Sequence, residues 1–472
     1  MHINWNSIKR IHFVGIKGVA MAALAVWAKE AGYLVTGSDT TEEFPTDEVL
    51  ARAGITVLPD FDPRNLGRRV KPDIVIYTGA HGGKDNSEVA EAIAEHIPAI
   101  PHGQALGLVM ANKIQVSVAG SHGKTTTSAM IATVLTNAGL DPSYAIGCGD
   151  IRGLGFPGHF GRSDVFVAEA DEYITDPWHD STPRFLWQHP DILVVTNIDY
   201  DHPDAYASLV DVQNAFMKFQ DQEKGMKLTI VNADDPASKV LMNNSVLTYG
   251  FSATAEFQVT HVGFGEERTF FTLSQHGMKL IDFTLKVPGR HNALNATAAA
   301  IACKQLGLSW EQIAKGLLIF GGTKRRFEFV GNAPAGGGDI RVYDDYAHHP
   351  TEIKAQLAAV REWFPRRRII AVFQPHTYSR TKALLSEFSH AFTNAHEVIL
   401  TDIYSSARET DTLGISGKTL VEETAKHHQN VYFAPDYSHV NKLLRQHMQP
   451  NDVVLFMGAG NIYTWGKQFV GL

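Results

Sequence analysis

The stretch that most constrains this chain is Val116–Thr127, reading VSVAGSHGKTTT. A run of β-formers, Val116-Ser117-Val118-Ala119, ends in a glycine turn. Lys124, three threonines and an apolar helical period (Ala129, Met130, Ile131, Val134, Leu135) follow. Strand, Gly-rich turn, Lys-Thr and helix together describe a phosphate cradle, in which backbone N–H groups converge on an anion at a helix N-terminus. Gly120, Ser121, His122, Gly123, Lys124, Thr125 and Thr126 would form it. Lys124 would reach a terminal phosphate, and the Thr125 hydroxyl would hold Mg²⁺. The spacing is G-x-x-G-K-T, with Val118 where the commoner phosphate loop has its first glycine.

Upstream of the cradle, IHFVG at 11–15, a helix pattern at 19–31 and YLVTGSD ending in Asp39 form a β-turn-α-β unit of the dinucleotide-binding kind. Gly32 is the expected C-cap. The turn Gly15–Gly18 lacks the third glycine of a dinucleotide fingerprint, which argues against NAD. Either a nucleoside diphosphate sits there, with Lys17 at the phosphates and Ser38 and Asp39 at the strand end, or the turn is simply tight. Strand 73–77 and helix 86–96 continue the alternation.

Downstream, strands at 164–168, 192–197 and 227–231 extend the cradle's sheet. Residues 245–287 change to period-2 alternation, predicting appended hairpins, and helix 292–306 closes the unit. From about Gly322, strands at 340–343, 368–373, 397–402, 430–433 and 452–457 alternate with helices, including one at 381–394. GGTKRR at 321–326 is a hinge candidate. The expected fold class is α/β in three domains: a Rossmann-like N-terminal sheet (1–108), a P-loop ATPase-type central sheet with hairpins (109–321) and a Rossmann-like C-terminal sheet (322–472).

Four polar clusters follow apolar strands, at the sheet edge where α/β proteins bind ligands. EADE at 169–172 offers Glu169 as a Mg²⁺ ligand, or as a solvated loop acid. TNIDYDHPD at 196–204 offers His202 as a metal ligand or a packed histidine, with Asn197 and Asp199 orienting neighbours. DDYAHHP at 344–350 and QPHTYSRT at 374–381 bring Asp345, Tyr346, His348, His349, His376 and Arg380 to adjacent strand ends. Arg380 suits a carboxylate by bidentate pairing.

A formal charge of -8 argues against a nucleic-acid partner, which needs a basic face. Two cysteines support neither a disulfide scaffold nor a zinc site and fit a reducing cytosol. No apolar run approaches the roughly 18 residues of a membrane span, and no secretory leader is evident. The expected location is the cytoplasm.

The motifs GSHGKTTT, EADE, TNIDYDH, VNADDP, GRHNALN, RRFE, DDYAHHPTE and QPHTYSRT occur in the order seen in Mur ligases, and the chain resembles that family over essentially its whole length. The resemblance implies ATP-dependent amide-bond formation in peptidoglycan precursor synthesis, with ATP and Mg²⁺. Thr125 and Glu169 would hold one Mg²⁺, and Glu169 with His202 the other. His291, Asn292 and Asn295 would lie on the adenine side, Arg326 at the phosphates and Asp345 at the ribose. Tyr346, His348, His349 and Arg380 would surround the acceptor, with His348 as a base. DDYAHHPTE with QPHTYSRT is most like the branch that adds L-alanine to UDP-N-acetylmuramate, as a monomer or weak homodimer. The long segment EADEYITDPWHDSTPRFLWQHP is more like the branch that attaches a recycled tripeptide, so that remains the rival reading. A more distant rival is a P-loop nucleotide switch with no transfer chemistry.

Overall fold

The structure, a computed structural model, describes residues 5–472 except 68, 69, 223, 226, 244, 245, 266, 336, 337, 406–408 and 410. Three large sheets succeed one another along the chain. In the first, Arg10–Val14 is central and all strands are parallel; Leu34–Asp39 and Thr56–Pro59 lie on one side, Ile74–Tyr77 and Ala99–Pro101 on the other. The helix Val19–Glu30 ends at Gly32, whose φ of 93° suits the left-handed turn after a helix. There Gly32 N–H donates to Lys29 C=O, and Tyr33 N–H to Ala28 C=O.

The central sheet has ten strands. Ile114–Ala119 pairs in parallel with Val165–Ala170 on one side and Ile192–Val195 on the other. Beyond these, Leu228–Asn232 and Val246–Gly250 lead into the antiparallel strands Phe257–Gly265, Arg268–Gln275 and Met278–Leu285. The predicted hairpins therefore extend the main sheet rather than forming a separate layer. The helix Lys124–Asn137 is buried nearly all round because it is packed between this sheet and the helices Arg290–Gln305 and Trp310–Ile319. Small side chains permit the approach: a Cβ on Gly316 would come 2.7 Å from Val134 Cα.

The third sheet has six strands, with Val453–Met457 between Gly338–Asp345 and Ile369–Phe373. The helix expected over 381–394 is instead two short ones, Tyr378–Ala383 and Leu385–Ser389, divided at Leu384. The first begins early because Thr377 caps it, its side chain accepting from Arg380 N–H. Among the described residues no helix is long and apolar enough to cross a membrane.

The N-terminal and central units share a core. Ala145, Phe166 and Ala168 of the central sheet belong to the same apolar cluster as Ala23 and Trp27 of the first helix. The segment after EADE strengthens this junction. It folds into the hairpin Ile174–Asp176 with Asp180–Pro183 and the helical turn Arg184–Trp187. Asp176 accepts from Lys84 N–H at 2.9 Å, His179 pairs with Asp85 at 2.8 Å, and the glycines of His102–Met110 fit against Trp187. This segment thus clasps the N-terminal unit.

The closeness of that junction is testable at Gly158, where a Cβ would meet Ala23 C=O at 1.9 Å. Gly158→Ala is expected to destabilise the chain by about 1–3 kcal/mol. Gly263→Ala, with nothing within 4 Å of its Cβ, should be near neutral. Denaturant unfolding followed by Trp fluorescence distinguishes the two; equal midpoints would show that the units do not touch as described.

Candidate functional site

The cradle is built by glycines and braced from the next strand end. Gly120 has φ 134°, and a Cβ there would come 2.0 Å from Thr196 Oγ1; Gly123 has φ 86° and faces Asn295 Oδ1 at 2.6 Å by the same construction. Side chains are excluded at both positions. Asn197 holds the turn between them: its Oδ1 accepts from His122 N–H and its Nδ2 donates to His122 C=O, both at 2.9 Å. Ser121 Oγ accepts from Asp199 N–H at 2.8 Å.

Two cavities meet at this turn, of about 650 and 630 Å³. Gly123, Arg326 and Glu352 line both. The first receives His122, Thr126, Asn197, His291, Asn292, Asn295 and Asp345, which is the expected adenine and ribose side. Burial, then the Arg326 charge, holds His291 neutral, down at about 4. Burial pushes the Asp345 carboxyl up to about 6, against Arg326 and the N–H groups of Ala347 and Phe327, which its two oxygens accept.

The second cavity receives Lys17, Gly18, Ser121, Lys124, Thr125, Glu169, His202, Tyr346, His348 and Arg380. Lys124 Nζ donates to Gly120 C=O at 2.6 Å and to Glu172 Oε2 at 2.8 Å. Burial opposes its charge, but the carboxylates of Glu172 and Asp171 outweigh it and raise the lysine's pKa. Glu169 accepts from Gly147 N–H at 2.7 Å and from the Thr125 hydroxyl, and burial shifts its carboxyl upward. His202 has φ 58°, an uncommon conformation for a residue with a Cβ, and its ring packs on Tyr173 at 4.7 Å. Thr125, Glu169 and His202 therefore face one cavity, and their oxygen and imidazole donors fit a divalent cation.

Several expected contacts are used otherwise. Gly15, Ser38 and Asp39 line neither cavity. Ser38 Oγ donates to buried Glu88 at 2.5 Å, and Asp39 accepts from the N–H groups of Lys17 and Thr40, closing the first turn. A Cβ on Gly15 would meet Thr78 Cγ2 at 2.3 Å, so that glycine serves packing. Lys17 Nζ faces Glu42 C=O at 2.7 Å and Asp47 at 3.1 Å. Gly120 lines neither cavity. His349 lines neither cavity; it caps Pro350–Trp363, its Nδ1 accepting from Thr351 N–H while Nε2–H donates to Tyr200 C=O.

His348 has Nδ1 between Tyr346 C=O at 3.1 Å and Glu352 Oε2 at 3.3 Å, two acceptors, so Nδ1 carries the hydrogen and Nε2 the lone pair. Burial holds its pKa at about 3, so it is neutral and a weak base, unlike the base first expected. Arg380 donates Nε–H to Asp201 Oδ1 at 2.8 Å, a buried pair across two units that motif reading missed. Glu352 was missed as well; it accepts from Arg326 at 3.3 Å and faces His122 Nδ1 at 3.5 Å. The acids of TNIDYDH and DDYAHHPTE are the only sequence signals for these pairs.

With this geometry in hand, comparison with known proteins is informative. Three family descriptions match in order: Mur ligase family, catalytic domain, over residues 10–114; Mur ligase middle domain, over 118–303; and Mur ligase, glutamate ligase domain, over 325–460. The chain belongs to the Mur ligase family. It is 41% identical to a UDP-N-acetylmuramate–L-alanine ligase of Desulfitobacterium hafniense, covering 98% of this chain and 99% of that one. It is 37% identical to the protein of that name from Aquifex aeolicus, over 98% and 97%. The crystal structure of a UDP-N-acetylmuramate-alanine ligase from Thermotoga maritima superposes with TM-score 0.81 at 30% identity, covering 98% of both chains. A murein peptide ligase from Psychrobacter arcticus shares the fold with TM-score 0.70 at 23% identity, covering 98% of this chain and 100% of that one.

The cradle's link to the third unit predicts a pH dependence. Burial disfavours a charged His122, yet hydrogen bonds to Asp199 and Glu352 outweigh it and hold the imidazole up at about 9, with the His349 ring tilted against it. A raised histidine contributes stability in full below its unfolded value of about 6.5 and loses it as pH rises through about 9. Wild type should therefore lose on the order of 1–3 kcal/mol relative to His122→Gln between these limits. Parallel urea titrations at pH 6 and pH 9.5 measure the difference; identical pH dependence in the two proteins would refute the assignment.

Proposed function

We propose that the chain is an ATP-dependent ligase that joins L-alanine to the lactyl carboxylate of UDP-N-acetylmuramate, releasing ADP and phosphate in peptidoglycan precursor synthesis. One observation carries the reading: two cavities, one suited to a nucleotide and one lined by all three units, meet at Gly123 and Arg326, where a γ-phosphate in the cradle would lie. The relatives of that name match over nearly the whole chain. ATP and a UDP-sugar as substrates make the cytoplasm its compartment. Residues 1–108 would hold the UDP-sugar, 109–321 the ATP and 322–472 the acceptor, in a monomer or weak homodimer.

The chemistry follows from charge and position. A carboxylate oxygen attacks the γ-phosphorus, the bond to the β-phosphate oxygen breaks, and an acyl phosphate and ADP result. The acceptor's neutral amine then attacks the acyl carbon, and phosphate leaves. Lys124 and Arg326 line the same cavity and would stabilise the charge on the oxygens of the transferring group. Magnesium, when bound, neutralises further phosphate charge, and Thr125, Glu169 and His202 are the side chains that would hold it. Tyr346, His348 and Arg380 line the cavity that would take the acceptor. His348 Nε2 accepts a hydrogen bond from the amine, while the departing phosphate is the stronger base for its proton.

The tripeptide alternative rested on the long segment after EADE. Its hairpin clasps the N-terminal unit through Asp176 and His179, a role that does not depend on the length of the acceptor.

A phosphate-release assay with UDP-N-acetylmuramate, ATP and Mg²⁺ tests the reading. L-Alanine should drive turnover, and the tripeptide should not. Lys124→Ala and His202→Ala should each lower alanine-dependent turnover by roughly 100- to 1,000-fold. Hydrolysis of ATP indifferent to every acceptor and UDP-sugar would sink the ligase assignment, and turnover with the tripeptide alone would change the acceptor.

A further inference from the structure

The segment that clasps the N-terminal unit ends in a charged side chain that the mechanism above does not use. Arg184 opens the helical turn Arg184–Trp187. Its N–H donates to Tyr173 C=O, and the next N–H, of Phe185, to Asp171 C=O, both at 2.9 Å. The Phe185 ring is fully buried against Phe216 and Phe219, and Trp187 Nε1–H donates to Thr175 Oγ1 at 3.0 Å. The backbone under Arg184 is thus tied back onto EADE and onto the core of the central unit.

The side chain lines the second cavity together with Gly18, Ala20 and His102 of the first unit. His102 Nε2–H donates to Ala20 C=O at 3.2 Å, and burial, then the Arg184 charge, keeps that imidazole neutral, down at about 4. On the other side Arg184 Nη1–H donates to Asp171 Oδ2 at 2.9 Å, with the guanidinium over the Tyr173 ring. Burial would raise the Asp171 carboxyl, but the charges of Arg184 and then Lys124 outweigh it and hold it below its ordinary value. Arg184 therefore stands between the first unit's turn and the cradle lysine.

Among the described residues, Asp171 is the one hydrogen-bond acceptor of this guanidinium, whose side chain is 20% exposed. A guanidinium has five N–H donors in a planar fork, so most of these donors are free for a ligand in the cavity. The other cations near this path are already engaged: Lys17 with Glu42 C=O and Asp47, Lys124 with Gly120 C=O and Glu172. Arg380 is buried against Asp201. An acid substrate that approaches a triphosphate here must also pass the carboxylates of Glu169, Asp171 and Glu172, which line the same cavity and repel it. A half-open arginine on that path offsets the repulsion and can pair with a carboxylate bidentately.

We propose that Arg184 binds the lactyl carboxylate of UDP-N-acetylmuramate and makes the site select an acid-bearing UDP-sugar. The proposal rests on the ligase reading, in which the muramate spans the cavity from Gly18 to Lys124. The clasping segment then has two uses: its hairpin holds the first unit, and its last turn presents the residue that recognises the acid.

Calorimetric titration of the full chain with two UDP-sugars, in saturating imido-bridged ATP analogue and Mg²⁺, tests it without acceptor or turnover. UDP-N-acetylglucosamine has the same diphosphate and acetamide as UDP-N-acetylmuramate but no carboxylate. Wild type should prefer the muramate by at least about tenfold. Arg184→Gln should bind the muramate roughly 10- to 100-fold more weakly and the glucosamine within about threefold of wild type, so that the preference collapses. Arg184→Lys, which keeps the charge without the fork, should retain part of the preference. Affinity for the ATP analogue, measured separately in Arg184→Gln, should stay within about threefold. A preference retained in Arg184→Gln would overturn the proposal and leave the ligase reading standing. Equal weakening of both sugars would also overturn it, since that places Arg184 at the diphosphate or in the fold. A wild type that binds neither sugar removes the ligase reading and the proposal with it.

Discussion

The two hydrogen bonds between the Asn197 side chain and the His122 backbone hold the structure's functional centre together. A glycine turn of this kind has no rigidity of its own, because both glycines occupy backbone regions chosen for space rather than for stability. The amide of Asn197 fixes its shape from the neighbouring strand end. The same segment continues through Asp199, Tyr200 and Asp201, which bind Thr351, His349 and Arg380 of the third unit. One short loop thus sets the cradle, docks the third unit and delivers His202 to the cavity.

A second regularity is that the cations facing the cavities are paired with acids. Lys124 meets Glu172, Arg326 meets Glu352, Arg380 meets Asp201 and Lys17 meets Asp47. Buried or half-buried charges need such partners. Because anionic substrates must displace or share them, the charge balance of the site depends on what is bound.

The fold was legible in the sequence because its signals are local. The apolar strand before GSHGKTTT and the helical period after it lie within a few residues of each other, and Gly32 and Pro350 mark helix ends by their own backbone preferences. The hairpins of 257–285 announced themselves by alternation, though their continuity with the main sheet depends on a parallel pairing of Val246–Gly250 with Phe257–Gly265 that no local pattern encodes. Site residues were less legible for the same reason. His349 and His348 are adjacent in DDYAHHP, yet one caps a helix and the other lines a cavity, and only the helix start at Pro350 separates them. Asp39 ends its strand as a ribose-binding acid would, but its oxygens are taken by Lys17 and Thr40 N–H groups. Glu172 stood in plain view in EADE; its pairing with Lys124 joins residues far apart in the chain and needed three dimensions to see.

The shared core of the first two units bears on how such a machine moves. Phe166 and Ala168 lie on the central sheet but are buried beneath the first helix, with Trp27 packed on Phe166 at 6.0 Å between ring centroids. What the chain order presents as two modules is mechanically a single chassis, held by apolar contact that sliding would expose to water. The third unit is joined to that frame largely by polar contacts, among them Arg380 with Asp201, Thr351 with Asp199 and His349 with Tyr200. Opening and closing should accordingly be asymmetric: one arm swings against a fixed frame, and the first sheet and the cradle keep their distance.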